Sequence, residues 1–338
     1  MRHPPLAPGW IDRPHNEVSI GDLPLESGET LRDCRLVWVE HGERAPAGDN
    51  VILALCAIGS THHRLDFLIG EGRALDPARH HIIAIDALGN GLSSSPSNNA
   101  AQPGVLFPRI TIGDMVESQR RLLDALGIGR LRAVVGASMG GMQALQWAVR
   151  HPDRMDNVVA LTAPSRTARW SQLVNELSRR ALFEDPAFTR PRALGVAMAL
   201  WVPLTQMIVA RSPAAIGQIP DRESLLESLA ALEERFAAHP PDPFDWLAQT
   251  RAYDAHDVNA RLGDIRARCL LAAPSLDLYN PVDDVRETAA AIAHARFVEI
   301  ASPMGHRAAT DTRPEDGAAL NAAIAAFLGA SPVGDRVA

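Results

Sequence analysis

Apolar residues in this chain fall into two rhythms. Short unbroken runs at 51–57, 81–85, 158–161 and 269–273 fit strands buried on both faces of a sheet, and 296–300 reads as a further strand. Around 34–40 the pattern alternates instead, with Cys34, Leu36, Trp38 and Glu40 on one face and Val37 and Val39 on the other. Between such runs, 111–126 spaces Met115, Leu122, Leu123 and Leu126 at helical intervals, with Gly127 as the stop. Helices are also expected near 282–293 and over 317–328. Strands alternating with helices predict an α/β fold, a mostly parallel sheet with helices on both faces.

From 165 to 261 the strand-like runs vanish, and helical segments are broken by prolines at 186, 191, 203, 213, 220, 240, 241 and 243. The chain therefore divides into a loose, proline-rich lead-in over 1–16, an α/β core over 17–164 and 262–330, and an inserted helical lid over 165–261. The apolar stretch 197–209 belongs to the lid; Pro203 and Gln206 interrupt it, and it is too short to span a bilayer.

The stretch 131–150 carries the chemistry. A β-branched run (Ala133, Val134, Val135) meets Gly136-Ala137-Ser138-Met139-Gly140, and a helix-like segment follows. This G-x-S-x-G between strand and helix predicts a nucleophile elbow. Its glycines permit a tight, strained turn that lifts Ser138 above the sheet edge at the positive end of a helix.

Composition narrows the class. The 338 residues are 46% hydrophobic and 22% charged, as in a globular chain with a sizeable core. A net charge of −7, with no clustered basic face, argues against nucleic acid as a partner. Neither a signal peptide nor a membrane span is evident, and no membrane partner is expected. Cys34, Cys56 and Cys269 are widely spaced without a Cys-x-x-Cys pair, so reduced thiols in the cytoplasm are expected, and no metal.

A serine hydroxyl needs a base, and the base an acid to orient it; in elbow folds they follow in the order serine, acid, histidine. His306, in Ser302-Pro303-Met304-Gly305-His306 just past the last strand, is the expected base. Asp277 lies beyond the 269–273 strand and is the expected acid; Asp283 and Asp284 fit better as helix N-terminal charges. The oxyanion needs two backbone donors, expected from Met139 and, in the turn after the buried 51–57 run, Ile58. Cys56 reads as a small buried apolar residue. His62 and His63 are either mouth-lining groups or plain loop histidines.

At this point the chain resembles the homoserine O-acetyltransferase family of α/β-hydrolase-fold proteins. The resemblance runs through Leu23-Pro24-Leu25-Glu26-Ser27-Gly28, the blocks 68–76 and 107–116, the elbow and helix 136–147, and 297–306. It implies the α/β-hydrolase fold and Ser138, Asp277 and His306 as the triad. It further implies a helical lid over a tunnel and a homodimer joined through the lids. The family follows its catalytic histidine with an aspartate for the amino group of homoserine; here that position is Arg307. The lid arginine and tyrosine that hold substrate in the family align with Leu200 and Met207. A guanidinium facing an ammonium at about 4 Å costs several kcal/mol at an effective dielectric near 20. The expectation is therefore a serine-dependent acyl-transfer enzyme that hydrolyses small carboxylic esters without a bound cofactor. The alternative is an O-acyltransferase for homoserine or a related alcohol, with acetyl-CoA or another acyl-CoA as co-substrate. A ligand-binding role on the same fold is disfavoured because all three triad positions are filled.

Overall fold

The apolar runs become the strands of one sheet. The computed structural model describes residues 3–310 and 313–329. In chain order its strands are β1 (Asn16–Ser19), β2 (Leu23–Pro24), β3 (Thr30–Leu31), β4 (Arg35–His41), β5 (Val51–Leu55), β6 (His81–Ile85), β7 (Leu131–Ala137), β8 (Met155–Leu161), β9 (Arg268–Pro274) and β10 (Ala295–Ile300). Eight of them form the sheet, in the order β1-β4-β6-β5-β7-β8-β9-β10, and β2 and β3 pair as a separate ribbon. The β1–β4 and β4–β6 pairs are antiparallel and every later pair is parallel.

The helices are α1 (Ile112–Ala125), α2 (Met139–Arg150), α3 (Arg169–Leu182), α4 (Leu194–Trp201), α5 (Pro213–Ile216), α6 (Arg222–Ala238), α7 (Pro243–Asp254), α8 (Val282–Ala290) and α9 (Pro314–Gly329). Alternate side chains of each central strand face opposite layers, as a period of two requires. Leu53 and Leu55 pack with α1, α2 and α8, whereas Ile52 and Ala54 pack with α9. On β4, Leu36 and Trp38 join the first layer and Val39 the second, as the alternation predicts. Thr111 caps α1 reciprocally with Asp114, which fixes where that helix starts.

Between β8 and β9 the chain is helical. Helices α3 to α7 and a π-helical segment (Val202–Val209) share an apolar core of their own, built on Phe183, Trp201, Val202 and Leu247. Pro203, Pro213 and Pro243 stand in the first turn of their helical segments, where a missing N–H costs nothing.

The lead-in is not loose. The Trp10 ring stacks on His63 with centroids 4.3 Å apart, and the Ile11 N–H donates to Asp66 Oδ2 at 2.8 Å. Residues 1–2 of the lead-in and residues 311, 312 and 330 of the core lie outside the described residues. Among the described residues no helix is long and apolar enough to cross a membrane.

The strand order decides where a site can form. The chain leaves β5 for its neighbour β6 on one side and returns to place β7 on the other. The carboxyl ends of β5 and β7 therefore flank a topological switch point, where open α/β sheets bind ligands. Leu55 pairs with Gly136, so the turns that follow the two strands sit side by side.

Candidate active site

Ser138 follows β7 directly with φ 56° and ψ −123°, left-handed backbone that costs a non-glycine residue about 1–3 kcal/mol. The surroundings hold it there. Its N–H donates to the Leu161 carbonyl at 2.8 Å, and its neighbours must be glycine. A Cβ on Gly136 would lie 2.1 Å from the Gly140 carbonyl oxygen, and one on Gly140 would lie 2.5 Å from that of Leu55. The elbow thus packs directly against the end of β5.

Two further strand ends bring the partners. His306, in a short helical turn after β10, has Nε2 3.0 Å from Ser138 Oγ and Nδ1 2.7 Å from Asp277 Oδ2. Asp277 follows β9, and its side chain is buried. Its other oxygen accepts from the N–H groups of Tyr279 (2.8 Å) and Asn280 (2.9 Å). A carboxylate so placed only accepts, so Nδ1 of His306 carries the proton and Nε2 is left to take one from the serine. Asp283 and Asp284 stay in the first turn of α8, where Asp283 pairs with Arg286 at the surface.

Ile58 follows β5 and, like Ser138, lines the cavity; Met139 opens α2 directly after the serine. Among the described residues neither N–H is paired with an acceptor. The adjacent Gly59 N–H is taken by Gln249 Oε1 of α7 at 2.9 Å, which fastens the turn to the helical region. Cys56 is fully buried beneath it, and burial pushes its thiol up to about 12, so it stays protonated and inert.

Ser138 and His306 open on a cavity of about 350 Å³ between the sheet edge and the helices. Trp201, Trp246 and Phe236 give it apolar walls, and Asn175, Tyr279 and Gln206 give it polar points. Its lining among the described residues includes Arg64, Arg235 and Arg307 and no acidic side chain. Arg307 is thus part of the cavity lining, beside His306. Burial, with Arg211 and Arg235 nearby, lowers its guanidinium to about 10, which leaves it charged at neutral pH. Asp311, four residues on in sequence and the alternative partner for Arg307, lies outside the described residues.

Two expectations fail here, and one of two open readings falls away. Leu200 is 48% exposed on α4, and Met207 packs inside the helical region's own core; neither lines the cavity. Seven residues return to the same face of an α-helix, but Val202–Val209 is π-helical and its wider turn breaks that register. His62 and His63 do not line the mouth either, because the lead-in and the carboxylates of Asp86 and Asp66 bury them elsewhere. Sequence reasoning also passed over Tyr279, Asn175, Arg235 and Trp246. Tyr279 lies edge-on to His306 with centroids 5.2 Å apart and donates to Asn175 Oδ1 at 2.5 Å. Only its position two residues after the expected acid could have drawn attention to it.

A strand-flanked elbow serine, a histidine and an acid on successive strand ends define the α/β-hydrolase class, and the alpha/beta hydrolase fold model matches residues 58–308. A homoserine O-acetyltransferase of Symbiobacterium thermophilum is 32% identical over 85% of this chain and 87% of its own length. An ethyl acetate hydrolase of Pseudomonas veronii is likewise 32% identical, over 87% of this chain and 89% of its own. The crystal structure of the acetyl esterase MekB superposes with a TM-score of 0.85 at 30% identity, covering 94% of this chain and 97% of that one. The chain belongs to the α/β-hydrolase-fold family, in the branch that holds homoserine O-acyltransferases and their esterase relatives. It is an enzyme of the hydrolase or acyltransferase type.

Proposed function

We propose that the protein hydrolyses small carboxylic esters through an acyl-enzyme on Ser138. His306 takes the serine proton as Oγ attacks the ester carbonyl, and Asp277 steadies the imidazolium that forms. The N–H groups of Ile58 and Met139 receive the developing oxyanion. The alcohol leaves with the proton from His306; water then repeats the sequence and releases the acid. The observation that carries this reading is the continuous Ser138–His306–Asp277 chain, at 3.0 and 2.7 Å, opening on a cavity of small-ester size.

Acyl transfer from acetyl-CoA to homoserine is the competing reading, supported by the similarity to homoserine O-acetyltransferases. Both share the acylation half-reaction, and they part at the acceptor. An amino acid acceptor brings an ammonium group, and this lining offers it Arg307 and Arg235 but no carboxylate among the described residues. The same guanidinium groups suit esters that carry a carboxylate or another anionic group. We read residues 165–261 as a lid over this cavity. Homodimerisation through the lids is supported by exposed apolar side chains on α3 (Trp170, Leu173, Leu177) and α4 (Leu194, Leu200). The cytoplasm is the proposed location.

Product analysis tests the proposal. The protein is incubated with p-nitrophenyl acetate and, separately, with acetyl-CoA, each with and without homoserine. Acetate from the ester at a rate indifferent to homoserine is expected. Efficient formation of O-acetylhomoserine would return the chain to the transferase reading.

A further inference from the structure

A cluster of imidazoles lies apart from the Ser138 cavity. His62 and His63 open a 3-10 helix (His62–Leu68), and both are almost wholly buried. Asp86, just past β6, accepts the backbone N–H of His62 at 2.9 Å and lies 2.8 Å from its Nδ1. Asp66 lies 2.6 Å from Nδ1 of His63. Carboxylates accept only, so each Nδ1 carries its proton and each Nε2 presents a lone pair. Nε2 of His63 stands 3.1 Å from Nε2 of His3, whereas Nε2 of His62 is buried and has no hydrogen-bond partner among the described residues. The His3 ring also stacks on that of His62, with centroids 5.2 Å apart. A single proton on His3 can satisfy one of the two lone pairs and not both. A cation shared by the three rings satisfies both.

We infer that His3, His62 and His63 form a binding site for a divalent transition-metal ion of the zinc class, which clamps the N-terminal segment onto the loop that follows Ile58. One ring nitrogen of each of the three residues lies within 4.8 Å of one from each of the others. Tetrahedral zinc holds imidazole nitrogens at about 2.0–2.1 Å, hence about 3.3 Å from one another. His3, on a half-buried segment, is the ring free to close that difference. The two Asp–His pairs are the arrangement that fixes the tautomer and orientation of a metal-ligating histidine and raises its basicity. An all-nitrogen donor set selects zinc, nickel or copper over magnesium and calcium, which require oxygen ligands. His15, with its ring centroid 4.9 Å from those of both His3 and His62, adjoins the cluster for the fourth position, otherwise left to water. Asp86 also accepts from Asn90 Nδ2, which in turn donates to the Ser60 carbonyl, so the ion is coupled to the turn that holds Ile58. The role is structural: no step at Ser138 uses it, and it stands whether or not Ser138 is the nucleophile. The expectation from sequence that no metal is bound arose because His3 and the His62–His63 pair are far apart in the chain and carry no spacing signature.

The test is metal binding by the untagged full-length chain, stripped with a chelator and titrated with Zn²⁺ in competition with a chromophoric indicator, and with Co²⁺ as a spectroscopic probe. One equivalent of Zn²⁺ is expected, with a rise in Tm and a visible Co²⁺ band of low-coordinate nitrogen ligation. His3→Ala and His62→Gln should each weaken binding at least tenfold and remove the Tm rise. Asp66→Asn should weaken it about 10–100-fold, as loss of a carboxylate behind a ligand does. His3 lies outside the core, so His3→Ala decides the matter if His62→Gln fails to fold. Absence of stoichiometric binding in the wild type, or binding undiminished by the histidine substitutions, overturns the proposal.

Discussion

Asp277 accepts three hydrogen bonds, two from backbone N–H groups and one from His306, so its position is set before any substrate arrives. Asp277→Asn keeps the shape but offers Nδ1 a donor in place of an acceptor, so the imidazole is held in the wrong tautomer. Turnover of p-nitrophenyl acetate should fall by about 10⁴-fold. Asp283→Asn and Asp284→Asn, changed at the start of α8, should leave it unaltered; a comparable loss in either would place the acid one element later. Arg307 is the residue that sets this cavity apart. Arg307→Ala should cost a half-ester of a dicarboxylic acid about tenfold or more in kcat/KM, the value of a hydrogen bond to a charged group, while sparing a neutral ester of similar size. Unchanged preference would remove Arg307 from substrate recognition. Arg307→Asp should admit amino-bearing acceptors without full transferase activity. Ser138, Met139, His306, Asp277 and Ile58 were legible because each lies within a few residues of the end of a strand, and strand ends are the best-marked points of such a sequence. Arg235, Asn175 and Trp246 were not, because packing between helices brings them in and no local pattern announces it.

At the scale of elements, the helical region is fastened to the sheet edge by a few buried polar contacts. Asp245 on α7 accepts from the N–H (2.9 Å) and hydroxyl (2.6 Å) of Ser97. Burial, with Asp242 adding to it, raises this carboxyl from 3.8 to about 7. An acid raised in the folded state holds its proton more tightly there than in the unfolded chain. Its contribution is therefore most favourable below about pH 4, declines as pH rises towards 7, and levels off above. The full swing is on the order of 4 kcal/mol. Asp245→Asn can keep both contacts with Ser97 and cannot ionise, so its Tm should gain on the wild type progressively between about pH 4 and pH 7 and then hold that gain. A difference constant across that range would mean that Asp245 titrates normally. The sheet itself was readable because buried parallel strands are apolar throughout, and α1 because its period and its stop were both present. The helical region was readable only as a class. Pro203, Pro213 and Pro243 sit harmlessly in first turns, and the π-helical segment defeats any alignment that assumes a constant α-helical register.

For the whole molecule, the exposed apolar side chains of α3 and α4 are an unusual burden for a monomer. They include Trp170, Leu173 and Leu177, spaced to share one face of α3. A homodimer is expected in solution. Leu173→Glu with Leu177→Glu should yield a folded monomer by analytical ultracentrifugation, whereas a monomeric wild type would leave that face without this role. The docked lead-in could not be foreseen, because Trp10 and His3 meet His63 only once the chain has folded back on itself. The central claim is that an ester acylates Ser138 and that water, not an amino alcohol, releases the acyl group. Its most direct test is mass analysis of the protein quenched during turnover of p-nitrophenyl acetate, followed by peptide mapping. The account predicts one acetyl group on the peptide that contains Ser138 and none in a folded Ser138→Ala protein. It also predicts decay of the wild-type adduct to acetate at a rate that homoserine does not change. An adduct on another residue, activity in Ser138→Ala, or decay accelerated by homoserine with formation of O-acetylhomoserine would contradict it.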